Sequence, residues 1–322
     1  MARYRHALPQ LSNKLFLTDG GLETTLVFHE KMDLPHFAAF DLMTKVDGRE
    51  ALRSYFIRYL AIAKKAKAGF IFEAPTWRAS SDWAEKFGYS AAELADVNRA
   101  SIELMAKLRN EFETRETPMV LSGCIGPRGD GYKPGATMSV AEAERYHAEQ
   151  IRVFAETEAD MIGAFTMNYV EEAIGIARAA DTAGIPVAIS FTLETDGRLP
   201  TGQTLREAVV AVDQATGGAP AYFMINCAHP THFSEVLGRD ETWINRIRGL
   251  RANASKRSHA ELDASADLDA GNPVELGREY RGLLRMHPQI NVLGGCCGTD
   301  HRHVEAIARS CVGHEQHAAY AA

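Results

Sequence analysis

Long apolar runs are missing from this chain of 322 residues. No window approaches the roughly 18 consecutive apolar residues that a membrane-spanning helix needs, so no membrane association is read. The opening residues, MARYRHALPQLSNK, hold no apolar core of a secretory signal, and a cytoplasmic location is expected. Positive charge is in deficit as well: 35 Lys and Arg against 42 Asp and Glu leave a net charge of −7. That removes the general basic footprint of a nucleic-acid binder. Glycine (26) and proline (12) are too few for a disordered or collagen-like chain. Internal repeats and low-complexity tracts are absent. Cysteine is scarce and odd in number, five in all: Cys124, Cys227, Cys296, Cys297 and Cys311. An odd set does not make a secreted disulfide framework, and in a reducing compartment clustered thiols point to metal binding or catalysis.

What the chain does have is alternation. Eight apolar, β-rich runs (Leu15–Thr18, Gly69–Glu73, Met119–Gly123, Met161–Phe165, Val187–Phe191, Tyr222–Asn226, Ile247–Arg251, Asn291–Leu293) are separated by stretches with helical periodicity. Unbroken apolar runs suit parallel strands buried on both faces. The helical stretches are Gly48–Ala68, Ala91–Phe112, Val140–Glu156, Val170–Ala183, Leu205–Ala215, Pro273–Met286 and His301–Ser310. Ser90, Ser139 and Thr204 each precede a helix and have Glu three positions on, a capping box. The expectation is an α/β fold, a (β/α)8 TIM barrel forming a single domain over residues 1–322. Its core runs from about 14 to 312 and a flexible tail covers 313–322. Long βα loops follow strands one (Phe28–Asp47) and seven (Asn253–Asn272). A doubly wound open sheet is the competing fold. It would carry a Gly-x-Gly-x-x-Gly turn after its first strand, where this chain has Asp19-Gly20-Gly21-Leu22-Glu23.

In a barrel the active site lies on the rim where strands end, and polar groups collect there. Strand one delivers Asp19 and Glu23, strand two Glu73 and Thr76, strand five Thr192 and Glu194. Strand six delivers Asn226, Cys227 and His229, and strand eight Gly294-Gly295-Cys296-Cys297-Gly298-Thr299. Strands six and eight flank strand seven, so Cys227, Cys296 and Cys297 can meet across the mouth. Three thiolates hold Zn²⁺ and leave a fourth position open, the mark of a catalytic site. Cys124 and Cys311 read as small buried hydrophobes. A hydrolase on the same zinc site, with Glu194 or His229 as base, and a non-catalytic thiol-binding or redox-sensing module are the alternatives.

The segments TDGGLETTL at strand one, INC at strand six and GGCCGT at strand eight resemble the homocysteine S-methyltransferase family. This family includes betaine– and S-methylmethionine–homocysteine methyltransferases. GCIGPRG and SFTLETDGRLPTG are similar to its strand-three and strand-five segments, and the resemblance runs from about Phe16 to Ala308. It implies a zinc enzyme with ligands Cys227, Cys296 and Cys297. Such an enzyme moves a methyl group from a sulfonium or quaternary ammonium donor to a small-molecule thiol. It also implies that Asp19, Gly20 and Gly21 hold the amino acid's polar end, with Glu23, Thr76, Phe165, Glu194 and Asn226 around the substrate. A homo-oligomer stays open. Phe28, Phe37, Phe40, Trp77, Trp83 and Tyr132 are candidates to cage the onium donor. One position departs from the pattern. Phe165 stands where the family has an acidic residue that pairs the substrate ammonium. Asn168, Glu171 or Glu194 would have to take that role, or the acceptor is another thiol.

Overall fold

The computed structural model describes residues 1–238 and 241–312. The expected flexible tail at 313–322 lies outside the described residues. Eight parallel strands close into one barrel in sequence order: β1 (Phe16–Leu17), β2 (Gly69–Glu73), β3 (Met119–Ile125), β4 (Met161–Met167), β5 (Val187–Thr192), β6 (Tyr222–Asn226), β7 (Ile247–Ala252) and β8 (Val292–Gly295). Closure, with β1 paired to β8, excludes the open doubly wound sheet. One outer helix follows each strand. These are α1 (Val46–Ala66), α2 (Ala91–Phe112), α3 (Val140–Ala155), α4 (Val170–Thr182), α5 (Leu205–Thr216), α6 (Pro230–Leu237), α7 (Pro273–Met286) and α8 (His301–Cys311). The capping boxes at Ser90, Ser139 and Thr204 form in both directions. Among the described residues no helix is long and apolar enough to cross a membrane.

Side chains alternate across a strand with period two, and this parity divides the core. Phe70, Leu121, Ile162 and Leu250 point outward and pack beneath the helices. Ile71, Val120, Met161, Met224 and Val292 point inward and fill the barrel. The same parity continued toward the C-terminal rim sends Glu73, Ser122, Cys124, Phe165, Asn226 and Arg251 inward. Polar groups therefore occupy the upper barrel because of where each apolar run stops.

The two long βα connections have structure of their own. The first contains a helical stretch at Leu22–His29 and 3₁₀ turns at Pro35–Phe37 and Ala39–Thr44. The seventh contains a short helix, His259–Asp263, capped reciprocally by Ser258 and Glu261. At the opposite end, Leu8 and Tyr4 plug the barrel floor. Asp160, fully buried just before β4, holds that end together. It accepts hydrogen bonds from the backbone N–H of Arg3 (2.8 Å), Tyr4 (2.7 Å) and Leu121 (2.9 Å), and from Arg109 Nη1 (2.9 Å). Arg109 is itself buried on α2. Arg109 also pairs with Glu158 (2.7 Å), so removing Asp160 leaves that cation one partner and strands three backbone N–H groups; breaking such a buried pair costs about 3–5 kcal/mol. Asp160→Ala is therefore expected to lower the unfolding free energy by about that amount in urea titrations. Metal uptake at the far rim of the folded fraction should be unchanged.

Candidate active site

The three thiols predicted to meet do so. The Sγ atoms of Cys227, Cys296 and Cys297 all lie within 4.8 Å of one another. Tetrahedral zinc with sulfur at ~2.3 Å places its ligands ~3.8 Å apart, so this donor set fits the ion with small side-chain rotations. Cys227 reaches the cluster by leaving its strand. Asn226 already points inward, and a continuing strand would send Cys227 outward. Instead Cys227 adopts φ = 53°, the left-handed region that costs a non-glycine residue energy unless its surroundings fix it. They do. Its N–H donates to the Arg251 carbonyl (3.1 Å), and its own carbonyl accepts from Asn253 Nδ2 (3.1 Å) and His259 Nε2. Just past β8 the Cys296 N–H donates to the Ala252 carbonyl (2.8 Å), and Thr299 closes the turn onto the Cys296 carbonyl. Gly21 must lack a side chain here, because a Cβ would sit 2.6 Å from that same carbonyl oxygen.

Asn226 and Tyr132 hold the sulfurs. Asn226 Nδ2 donates to Cys227 Sγ (3.1 Å) and Thr166 Oγ1 (3.0 Å), while its Oδ1 accepts from Ser190 Oγ (2.7 Å) and the Thr166 N–H (3.0 Å). The amide thus ties β4, β5 and β6 to the cluster. Tyr132, on the β3–α3 loop, donates to Cys227 Sγ (3.3 Å) and lies 3.6 Å from Cys297 Sγ. Among the three thiols, Cys296 is the one favoured as thiolate: hydrogen bonds with Cys227 and Cys297 lower its pKa, and the Arg251 charge adds to them.

The cluster opens into a cavity of about 420 Å³, within the range of small-molecule sites. Its floor holds a buried guanidinium. Arg251 pairs with Asp19 Oδ1 (2.8 Å), and Nη2 also donates to the Gly20 carbonyl (3.1 Å) and Nε to the Gly295 carbonyl (3.1 Å). Desolvation works against this cation, but the Asp19 charge outweighs it and holds it protonated. Glu73 lies buried in the same floor, where desolvation raises its carboxyl to about 8. Glu23, higher in the wall, is raised to about 7 for the same reason.

The other expected residues sort by position. Asp19, Gly20, Gly21, Glu23, Phe165 and Asn226 line the cavity. Thr76 and Glu194 are not on that lining. Thr76 is buried and donates to the Cys124 carbonyl (2.8 Å); Glu194 faces His259 Nδ1 (3.2 Å) behind the wall. His229, the other base considered for hydrolysis, turns away to Thr231 and Glu279. Asn168 is committed to the carbonyls of Asp130 and Gly131, and Glu171 is exposed on α4. Of the aromatic candidates, Phe28, Phe37, Trp77 and Tyr132 line the cavity. Phe40 is buried in the core, and Trp83 stacks under Arg78 and Lys86 outside it. Sequence reading passed over Arg251. The available signal was a charged residue at an inward position near the end of β7, one of two arginines in that strand.

Comparison with known proteins agrees with the cysteine motif. The family model described as homocysteine S-methyltransferase matches residues 16–311. Betaine–homocysteine S-methyltransferase 1 of Rattus norvegicus is 25% identical over 92% of this chain and 72% of its own length. Homocysteine S-methyltransferase 4 of Zea mays is 23% identical, covering 91% of this chain and 88% of its own. Among solved structures, the oxidised form of the Escherichia coli homocysteine methyltransferase MmuM superposes with a TM-score of 0.74 at 18% identity. It covers 94% of this chain and 98% of its own.

The Glu73 carboxyl gives a pH test. Folded, it keeps its proton to about pH 8; its ordinary value is 4.5. Between those values the folded state binds more protons than the unfolded, so this group's contribution to stability falls as pH rises, by at most ~1.4 kcal/mol per unit. Glu73→Gln removes the dependence. Its unfolding free energy relative to the native protein should grow as pH rises from about 5 to about 8 and then level off, read by denaturant titration at each pH.

Proposed function

The chain belongs to the homocysteine S-methyltransferase family, and from that premise we propose a zinc-dependent reaction. A methyl group moves from a sulfonium or quaternary ammonium donor to a thiol acceptor, homocysteine or a related thiol. The observation that carries the reading is the convergence of Cys227, Cys296 and Cys297 at the wall of a ligand-sized cavity. Zinc on these three residues would hold the acceptor sulfur as a thiolate at neutral pH, where a free thiol with a pKa near ~8.5 is mostly protonated.

The chain's own residues supply the rest. Asn226 and Tyr132 fix the sulfur ligands through hydrogen bonds, so that the cluster presents one face to the cavity. Phe28, Phe37 and Trp77 give the cavity an aromatic wall suited to an onium group, whose charge is attracted to ring faces. Asp130, Asp263, Asp267 and Asp269 surround the same upper region, where Lys133 pairs with Asp263 (3.2 Å), Arg257 pairs with Asp269 (3.6 Å) and Arg78 shares the lining; the acidic excess that remains favours a cation over a neutral donor. The methyl carbon bonds to the acceptor sulfur as its bond to the donor heteroatom breaks, the bonding pair staying with the donor. A cation and a thiolate become two neutral groups, so the reaction removes charge from the cavity. Holding the two partners in line is the protein's task, and such orientation is worth up to ~7–11 kcal/mol. Hydrolysis is less well supported, because Glu194 and His229 stand off the cavity lining.

Protein purified under reducing conditions should carry one zinc per chain by elemental analysis. Cys227→Ala, Cys296→Ala and Cys297→Ala should each lose both the metal and methyl transfer. Transfer is read by mass spectrometry as the gain of one methylene on the thiol, across a matrix of onium donors and thiols. A Cys227→Ala protein that retains zinc and full turnover would overturn the assignment.

A further inference from the structure

We propose that Arg251 determines acceptor specificity by pairing with a carboxylate of the thiol substrate, so that the acceptor is a mercapto acid recognised through its anionic end and its α-ammonium is dispensable. The inference deepens the methyltransferase reading above and rests on it.

A guanidinium has five N–H groups. On Arg251, Nε and Nη2 are engaged by the carbonyls of Gly295 and Gly20 and by Asp19. Nη1, with its two N–H groups, has no hydrogen-bond partner although it is buried. A buried donor left unmatched is costly, more so when charged. Arg251 lines the cavity together with all three cysteines. One small molecule can therefore address the cysteine cluster with its sulfur and the guanidinium with an acid group.

The floor offers an ammonium much less. Asp19 is already bound within the protein. Its Oδ1 is in ion-pair contact with Arg251 (2.8 Å), although no hydrogen bond of good geometry reaches it, and its Oδ2 accepts from Tyr55 Oη (2.9 Å). Glu73 Oε2 has no partner, but burial keeps that carboxyl protonated, so it can donate to an incoming carboxylate. Phe165 adds an apolar wall, its ring 5.2 Å from the guanidinium carbon. Gly163 makes this arrangement sterically feasible: a Cβ there would lie 2.7 Å from Glu73 Oε2 and 2.6 Å from the Phe165 ring. An incoming ammonium would meet a fixed cation, a carboxylate already paired with that cation, and a neutral acid. An incoming carboxylate would meet two groups able to donate.

Two analogues of homocysteine isolate the ends of the molecule. γ-Mercaptobutyrate lacks only the α-ammonium, and γ-aminopropanethiol lacks only the carboxylate. Binding of each to the zinc-loaded protein is measured by calorimetry, and each is also assayed as an acceptor. γ-Mercaptobutyrate is expected to bind at least as tightly as homocysteine, and γ-aminopropanethiol about ten- to a hundredfold more weakly. Because Arg251→Met strands Asp19 and can unfold the protein, the variants are Arg251→Met with Asp19→Asn, and Phe165→Glu. The first should erase the preference for the acid. The second sets a competing carboxylate beside the guanidinium and should weaken γ-mercaptobutyrate binding. Equal or tighter binding of γ-aminopropanethiol to the native protein overturns this inference and leaves the methyltransferase reading standing. If neither thiol, nor homocysteine, binds or is methylated, the methyltransferase reading itself falls, and this inference with it.

Discussion

The ion pair between Arg251 and Asp19 governs how the upper barrel is assembled. It runs from the end of β7 to the loop after β1, passing β8, the strand that lies between them. A buried cation is stable only when carboxylates and carbonyls compensate its lost hydration. Here Asp19, Gly20 and Gly295 provide that compensation from two different strand ends. The strand it passes must therefore be narrow. Gly294, opposite Arg251 in the register of β7 and β8, has no room for a Cβ, which would lie 1.9 Å from Thr18 Oγ1. The glycine pair before Cys296-Cys297 thus follows from packing β1 and a guanidinium against one strand. The cysteines emerge from that strand already aimed at the mouth.

A second constraint acts on Cys227. Its left-handed backbone turns a residue that alternation would send outward into one that faces the cavity, and five neighbours hold it there. Two of these, Asn253 and His259, belong to the long connection after β7. That connection also carries the acidic upper wall. Ordering the loop and setting the sulfur ligand are consequently one structural event. The same coupling appears on the other side, where Tyr132 of the β3–α3 loop rests on Cys227 and stacks against His259, ring centroids 4.2 Å apart.

Much of this could be read from the sequence, and the division has physical causes. The strands were legible because both of their faces are buried, so each is a continuous apolar run. The helix starts were legible because a capping box is local. The cysteine cluster was legible because strand order in a barrel follows chain order, which brings the ends of strands six and eight near each other. The short helices at Ser81–Phe87 and His259–Asp263 lack a periodic apolar face of useful length, and tertiary contacts define them. Thr76 and Glu194 show the limit of rim reasoning. A position past a strand end fixes a residue's height in the barrel but not its direction, and Thr76 turns back to the β3 backbone. Arg251 was hidden for another reason. Parity can place it inside, but only the fold reveals that Asp19, some 230 positions away, waits to pair with it.

The charges of the cavity then form a gradient with a direction. At the floor a fixed cation is half compensated by one carboxylate, and the second carboxyl, Glu73, is neutral at physiological pH. At the mouth four aspartates and several aromatic rings face the opening, two of the aspartates paired with Lys133 and Arg257 and with Arg78 in the same lining. Two co-substrates of opposite character are favoured in one order by such a field: the anionic partner deep beside Arg251, the cationic partner above it. The cysteine cluster lies in the wall that both regions share. A thiol anchored from below and an onium group held from above would meet there with sulfur and methyl carbon adjacent. The aromatic ring of Phe165 beside the guanidinium is consistent with the same gradient. A carboxylate at that position would neutralise the floor cation and remove the feature that orders the two substrates.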